Sequence, residues 1–451
     1  MVHTKTEGAS QSFKEWLYFS IAAGLGIFVR LLWIFKIPNT PTSDFAVYQT
    51  LAISIAQNQG YAYLGHPTAL RPPFYPAVLG FAYKLFGSTD ILYGKLLNVF
   101  LSFFICLFIF LIFKKIIVNK NLFWIAFISC VFLPNYIAYC NTLGTEILSL
   151  FLLTLVIFIQ LYLKTNWTKY LLIGVFIGMF SLTKPFFVIY PPVVILIDWL
   201  KTKNLQRAFS NFIFLALGMI LIITPWIYRN YQRFGKIIPI SWNNGIALFV
   251  NNNDDNPYGG WMPISAVKTD EQFKEKLAQR GFQYKQDLQS ESDAILINPN
   301  LEELFREKAL SWIVGHPLQF ILLGALRIKN TFFLGASDII SWTMNPISQN
   351  LEPKLLRLFN IFKSLADLII YTTNIFAFVF LILNLKNLGR ALFLQKTLSY
   401  PITLPLLNLL FLIFVVFIFE GQPRYAFPFL WLNILAELFI INNIRTNNQT
   451  I

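Results

Sequence analysis

Long apolar runs, separated by short polar or basic turns, dominate the pattern along the chain. From Trp16 to Ile441 these runs recur, and each has the about 17 to 25 residues that a helix needs to cross the hydrocarbon of a membrane. The runs do not alternate between apolar and polar positions, as the strands of a membrane barrel do. Because a helix satisfies its own backbone hydrogen bonds in lipid, the pattern predicts an all-α polytopic membrane protein.

Basic turns between the apolar runs indicate how the chain crosses the membrane. Lys114, Lys115 and Lys120 follow the second run, and such turns stay on the cytoplasmic side. The N-terminus is therefore predicted inside, and the large loop 36–90 outside. Continued along the chain, the pattern gives about ten crossings, which cover residues 16–35, 91–113, 122–139, 147–163, a pair within 169–201, and then 209–226, 362–385, 402–419 and 425–441.

Two segments depart from simple crossings. The interval 169–201 is basic at both ends and should hold two helices, yet two full-length crossings need about 40 residues. Its turn at Thr183–Pro185 is therefore predicted to lie recessed below the outer membrane surface. The apolar stretch 317–334 is interrupted by Arg327 and Lys329, which favours an interfacial or re-entrant helix.

The distribution of hydrophilic sequence predicts three regions. Residues 1–227 form an N-terminal transmembrane module, which includes the first external loop. Residues 228–316 are the one long hydrophilic segment and carry the charged amphipathic patterns of helices, which predicts a small external helical subdomain. Residues 317–451 supply the interfacial helix and the C-terminal transmembrane helices.

Composition excludes a soluble domain and changes the meaning of the charge. Hydrophobic residues make up 56% of the 451 positions, charged residues 13%, and the mean hydropathy is +0.57. The net charge of +14 comes from short clusters between apolar runs, so it sets topology and indicates no nucleic acid as partner. The three cysteines show no metal-ligand spacing, so the sequence indicates no metal site and leaves the cofactor open.

Six charged residues collect near helix ends on the predicted external face. A carboxylate in front of several cations suits a reaction in which a base takes a proton from a hydroxyl and a phosphate leaves. Structural roles compete with this interpretation: basic side chains at the interface snorkel to headgroups, and acidic ones cap helices or favour the helix dipole. The candidates are Asp44, Arg71, Glu146, Lys184, Arg229 and Arg424.

Four segments resemble a known family in the same order. The first loop, over residues 41–87 and including the run RPPFYP, resembles that of bacterial membrane glycosyltransferases related to the dolichyl-phosphate-mannose protein mannosyltransferases. These enzymes belong to the GT-C superfamily, as does the lipid A aminoarabinose transferase. The later segments are SLTKPFFVIYPP, PWIYRNYQRFGKIIPIS and PRYAFPFL, so the resemblance spans residues 15–440.

The resemblance implies a transferase that uses a polyprenyl-phosphate sugar donor. It assigns the catalytic base to Asp44 and donor or phosphate contacts to Arg71, Lys184 and Arg229; we add Arg424 as a further contact and Glu146 as the next candidate base. Eukaryotic members carry an Asp-Glu pair where this chain has Asp44 followed by Phe45. The acceptor, whether glycan, lipid or protein, therefore stays open, and so does the sugar.

We accordingly expect a multi-pass protein of the bacterial plasma (inner) membrane with its active site facing the periplasm or exterior. The expected reaction is an inverting transfer of the sugar to an acceptor hydroxyl. Two alternatives remain: a ligase or polymerase of lipid-linked glycans, and a polytopic transporter. A transporter should show related halves or midplane charges, whereas a ligase or polymerase differs in its donor, an oligosaccharide diphosphate lipid.

Overall fold

The computed structural model of the chain describes residues 2–282, 299–344 and 353–448. Part of the predicted external subdomain, residues 283–298, lies outside the described residues. The rest consists of helices and one short hairpin, in which β1 pairs antiparallel with β2. This confirms the predicted all-α class.

The elements are numbered here in chain order. In chain order the first half holds α1 (Val2–Lys36), α2 (Asp44–Ala56), β1 (Ala62–Tyr63), β2 (His66–Pro67), α3 (Phe74–Phe86), α4 (Ile91–Ile116), α5 (Lys120–Val131), α6 (Pro134–Ala138), α7 (Thr145–Tyr162), α8 (Trp167–Ser181), α9 (Pro191–Thr202) and α10 (Leu205–Phe234). The second half holds α11 (Asn244–Asn251), α12 (Glu271–Gln279), α13 (Leu301–Gly315), α14 (Pro317–Phe332), α15 (Ser337–Thr343), α16 (Pro353–Phe393), α17 (Tyr400–Ile418), α18 (Pro423–Ala426) and α19 (Leu430–Asn448). Short 3₁₀ turns cover Tyr139–Asn141, Pro185–Ile189, Ile264–Ala266 and Phe427–Phe429.

Within the described ranges, nine helices are long and apolar enough to cross a membrane. They correspond to nine of the ten predicted crossings. The tenth is α8, whose 15 residues form a shorter apolar helix. The order of these apolar helices was therefore readable from the sequence, because the thickness of the hydrocarbon sets the length of each helix.

The predicted short hairpin is formed by α8, the turn after it and α9. Close backbone approach fixes α8 against α10: a Cβ at Gly174 would collide with the backbone of Leu215, and one at Gly218 with the carbonyl of Leu171. Small residues allow such contacts between membrane helices. The turn that follows is buried within the protein, with Lys184 7% exposed.

The predicted interfacial or re-entrant helix is α14, which meets α13 at a bend of 105°. Its Arg327 does not reach toward solvent, because its side chain is fully buried. The guanidinium donates to the carbonyls of Phe417 and Ile418, at 2.9 and 3.0 Å, and a cation is favourable at the C-terminus of a helix. Arg327 thus fastens α14 to the end of α17.

The described part of the segment predicted to be external has an apolar core of its own. Phe249 of α11, Phe273 and Leu277 of α12, and Phe305 of α13 pack together, with the rings of Phe249 and Phe305 5.1 Å apart. The amphipathic patterns of the sequence correspond to α12 and α13, whose apolar faces build this core.

The first loop folds onto the transmembrane helices as α2, the hairpin and α3. Gly80 of α3 lies so close to the carbonyl of Ala52 in α2 that a Cβ would collide with it. The backbone N–H of Phe74 donates to the carbonyl of Leu182 at 2.9 Å. This bond joins the first loop to the buried turn that carries Lys184, so residues about 110 positions apart become neighbours.

Candidate active site

A cavity of about 250 Å³ lies where the first loop, the buried turn after α8, the start of α7, the start of α11 and the turn between α17 and α18 meet. Five of the six predicted site residues line it, and so does one further acid. The charged lining residues are Asp44, Arg71, Glu146, Lys184, Glu420 and Arg424. They come from segments spread over almost 400 positions, which only the fold brings together.

Asp44 is the first residue of α2 and lies between two guanidinium groups. Its Oδ1 accepts from Nη2 of Arg71, and its Oδ2 accepts from Nη2 of Arg424 at 3.2 Å. The helix-capping position belongs to Ser43, which adopts a left-handed φ of 50°. The Asp44 carboxylate therefore engages two arginines, and the capping alternative raised by the sequence receives no support.

The surroundings of Asp44 favour its ionised form. Burial by itself raises the pKa of this carboxyl group, but the charges of Arg71 and Arg424 outweigh burial, so the pKa lies below its usual value. With 19% of its side chain exposed, Asp44 remains accessible to a reactant. An ionised, accessible carboxylate is what a general base requires.

Glu146, in the first turn of α7, forms the second ion pair of the cavity. Its Oε1 accepts from Nζ of Lys184 at 3.2 Å, and the two side chains are 2% and 8% exposed. Its Oε2 is buried without a hydrogen-bond partner among the described residues. A Cβ at Gly144 would collide with this oxygen and with the ring of Phe45, so any larger residue there would displace these side chains.

Arg229 is not brought into the cavity. Its guanidinium donates at 2.8 Å to the backbone carbonyls of Thr68 and Tyr61 and lies 4.9 Å from the ring of Trp226. These contacts hold the hairpin of the first loop against α10. The predicted substrate contact of Arg229 gains no support from this position.

Glu420 and two asparagines are lining residues that the sequence did not single out. Glu420 accepts from the hydroxyl of Tyr425 at 2.7 Å and from the amide of Gln422, so it shapes the turn that presents Arg424. Its position four residues before Arg424, in the same turn, could have identified Glu420 as a candidate lining residue. Asn243 and Asn244 begin α11, and no spacing in the sequence related them to the other residues.

One flank of the cavity is apolar. The 3₁₀ turn after Lys184 contributes Phe186, Val188 and Ile189, and the end of α17 contributes Val416 and Phe419. Val188 and Ile189 are each 42% exposed. A charged pole beside an exposed apolar flank suits an amphiphile with an anionic head.

Within the described part of the chain, no three His, Cys, Asp or Glu side chains come together as ligands for a metal ion. In the cavity, the carboxylates of Asp44 and Glu146 face cations, and that of Glu420 faces neutral donors.

The chain is similar in fold to solved membrane enzymes. It matches the Archaeoglobus fulgidus oligosaccharyltransferase tethered to an acceptor peptide with a TM-score of 0.50 and 13% identity, over 96% of this chain and 50% of that one. The same archaeal enzyme, AglB, in complex with an inhibitory peptide and a dolichol-phosphate, gives a TM-score of 0.48 and 13% identity over 98% and 52%. The chain thus spans about half the length of the oligosaccharyltransferase.

ArnT from Cupriavidus metallidurans, bound to undecaprenyl phosphate, matches with a TM-score of 0.44 and 13% identity, over 94% of this chain and 76% of that one. No family model and no curated protein matches the sequence. Both neighbours are GT-C superfamily members. At 13% identity, the match with a TM-score of 0.50 shows a likeness of fold alone, which agrees with the GT-C resemblance found in the sequence.

Proposed function

We propose that this chain is a membrane glycosyltransferase that moves a sugar from a polyprenyl-phosphate donor to an acceptor hydroxyl. One observation carries the proposal: an accessible, ionised Asp44 shares a cavity with the cations of Arg71, Arg424 and Lys184, beside an apolar flank. The fold, which is similar to about half of a solved oligosaccharyltransferase, supports sugar transfer. We further propose that the cavity opens to the periplasm or exterior of a bacterial inner membrane.

The proposed reaction is a single displacement with inversion. The acceptor oxygen attacks the anomeric carbon while the bond from that carbon to the phosphate oxygen breaks. The acceptor proton passes to Asp44, and the bonding electron pair leaves with the polyprenyl phosphate. Lys184 and Arg71 stabilise the negative charge that develops on the phosphate, which is the most effective use of fixed cations in a site.

Two of the arginines can serve both partners of this reaction. A guanidinium carries five N–H donors in a fixed plane, and Asp44 occupies only part of them. In each arginine, it is Nη2 that donates to Asp44. Other N–H groups of the guanidinium are left to donate to a phosphate while the arginine holds the base.

The apolar flank supports a lipid-linked donor. A polyprenyl chain can pass along Val188, Ile189 and Phe419 while its phosphate meets the charged pole. Burial of isoprene units contributes roughly 25 cal/mol for each Å² of apolar surface removed from water. The apolar flank thus binds the polyprenyl chain of the donor, which places the donor's phosphate beside the cations.

The test is transfer by the purified protein in liposomes that contain radiolabelled polyprenyl-phosphate sugars, one donor at a time, with a mixture of glycan, lipid and peptide acceptors. We expect release of polyprenyl phosphate with one donor, and no release by the Asp44→Asn variant. Activity with only oligosaccharide diphosphate lipids would support a ligase or polymerase. Movement of label across the bilayer without transfer would support a transporter; either result overturns the proposal.

A further inference from the structure

The helix α15 lies beside the cavity and carries Trp342, whose side chain touches two residues that line it. The centre of the Arg424 guanidinium lies 5.2 Å from the Trp342 ring. The ring of Phe45 meets the Trp342 ring edge-on, with centroids 5.4 Å apart and an angle of 81°. Arg424 of α18 is an ion-pair partner of Asp44, and Phe45 follows Asp44 in α2. The Trp342 indole therefore contacts both of the helices that meet at the Asp44 carboxylate.

Polar contacts on three sides fix α15 in place. The side-chain amide of Asn39 donates to the carbonyl of Trp342 at 3.3 Å, and that of Asn141 donates to the carbonyl of Thr343 at 3.2 Å. At the other end of α15, the hydroxyl of Tyr139 donates to Asp338 at 2.7 Å. A seven-residue helix has little stability of its own, so these bonds determine where the indole lies.

The contact with the Trp342 ring restricts a motion of the Arg424 guanidinium, out of its own plane, that the ion pair with Asp44 does not restrict. A guanidinium donates hydrogen bonds in its plane, while its face can rest on an aromatic ring. The Nη2 of Arg424 reaches Asp44, and the central carbon of its guanidinium lies 5.2 Å from the centre of the Trp342 ring and 5.7 Å from that of the Tyr425 ring. Without the indole, the long side chain gains rotamers that do not meet the carboxylate.

We propose that Trp342 is a positioning residue that holds Arg424 against Asp44 and fixes the start of α2 through Phe45. Its meaning for catalysis rests on the proposed function, in which Asp44 is the base. The contacts themselves can be tested without any donor. The competing explanation is that Trp342 fills space, as many half-buried tryptophans do.

The proposal makes a statement about the ionisation of Asp44. Arg71 and Arg424 lower the pKa of this carboxyl against the effect of burial, so loss of Arg424 from its position should raise that pKa. The other titratable or charged groups that face Asp44 are Arg71 of the first loop, Lys184 of the buried turn, Tyr48 of α2 and Tyr425 of α18.

The experiment measures the protonation of Asp44 directly. Dicyclohexylcarbodiimide reacts with protonated carboxyl groups, and the protein in nanodiscs is labelled over a range of pH values, with the Asp44 peptide quantified by mass spectrometry. In the Trp342→Leu variant, we expect the midpoint of labelling to move upward by about one pH unit. The Trp342→Phe variant keeps an aromatic face and should move the midpoint by less than half as much.

Two controls separate positioning from packing. Trp124→Leu removes another half-buried tryptophan, which packs on Phe110 and Phe127 away from the cavity, and it should leave the midpoint at the parental value. In an Arg424→Gln background, Trp342→Leu should add no further shift, because the group it positions is gone. An unmoved midpoint in the single variant, or the same shift with and without Arg424, overturns the inference.

Turnover then links the contact to the reaction. With the donor found by the liposome panel, Trp342→Leu should lower transfer about tenfold near the acid limb and less at higher pH, where Asp44 is ionised again. A purely structural effect would lower transfer equally at all pH values and would contradict the inference. If Asp44→Asn transfers sugar normally, the proposed base is wrong, whereas the labelling result still reports on Trp342.

Discussion

The two acidic residues predicted from the sequence occupy different environments in the same cavity. Asp44 lies at the start of a loop helix, is 19% exposed and faces two arginines. Glu146 lies at the start of a transmembrane helix, is 2% exposed and faces one lysine. The comparison teaches that a position near a helix end does not by itself make a carboxylate a candidate base. The exposure of its side chain and the number of cations beside it distinguish Asp44, which a hydroxyl can reach, from Glu146, which is buried against Lys184.

The largest expected effect comes from Asp44→Asn. A general base contributes roughly 10²- to 10⁴-fold, so transfer should fall at least about a hundredfold while the folded protein persists. Glu146→Gln should lower transfer less than about tenfold by the same measure, because its carboxylate is buried behind Lys184. Initial rates of the two purified variants, with melting temperatures as the control for folding, decide the comparison. The reverse order would make Glu146 the base.

Lys184 gives the next largest effect, and its interpretation needs a double variant. Lys184→Met leaves the buried carboxylate of Glu146 without its cation, which costs about 3 to 5 kcal/mol of stability in typical buried pairs. We expect Glu146→Gln combined with Lys184→Met to restore the melting temperature but not the affinity for farnesyl phosphate, because the phosphate contact is still lost. Restoration of both would show that Lys184 only neutralises Glu146.

The pH profile gives a smaller but more specific test of Asp44. Its pKa is lowered by Arg71 and Arg424, so its ionised form persists as the pH falls, and its stabilising ion pairs are lost only when the pH passes below that lowered value. Transfer should therefore persist to a lower pH than it would with a carboxyl group of ordinary pKa as the base. Arg424→Gln should move the limb upward, and an unchanged limb would argue that another group sets it.

The smallest effect on chemistry is expected for Arg229→Gln, compared with Arg424→Gln. Arg229 donates to backbone carbonyls of the first loop, so its loss should lower the melting temperature and change donor affinity little. Arg424→Gln should lower the affinity for the donor and change the melting temperature little. Farnesyl phosphate affinity and thermal melting of both variants test this, and weaker binding in Arg229→Gln alone would return Arg229 to the substrate contacts.

Some features of the site were predictable and others were not. The charged ends of apolar runs could be read directly, because ionised groups are excluded from hydrocarbon and collect where helices end. Arg71, Lys184 and Arg424 were found in this way. The same signal also selected Arg229, whose guanidinium donates to backbone carbonyls outside the cavity, because a position at the membrane surface does not reveal which neighbour a long side chain contacts.

The sequence by itself determined the class of protein, the succession of crossings and the short hairpin that buries Lys184. These depend on segment length and polarity, which the thickness of the bilayer makes local properties of the chain.

Only the tertiary structure decided that Asp44 meets an arginine 380 positions away, that Glu146 pairs with Lys184, and that Trp342 covers Arg424. Such pairings depend on which faces of the helices pack together. In a membrane helix that is apolar on every side, the hydrophobic pattern does not specify the packed face, and close packing between particular small residues and polar groups selects it.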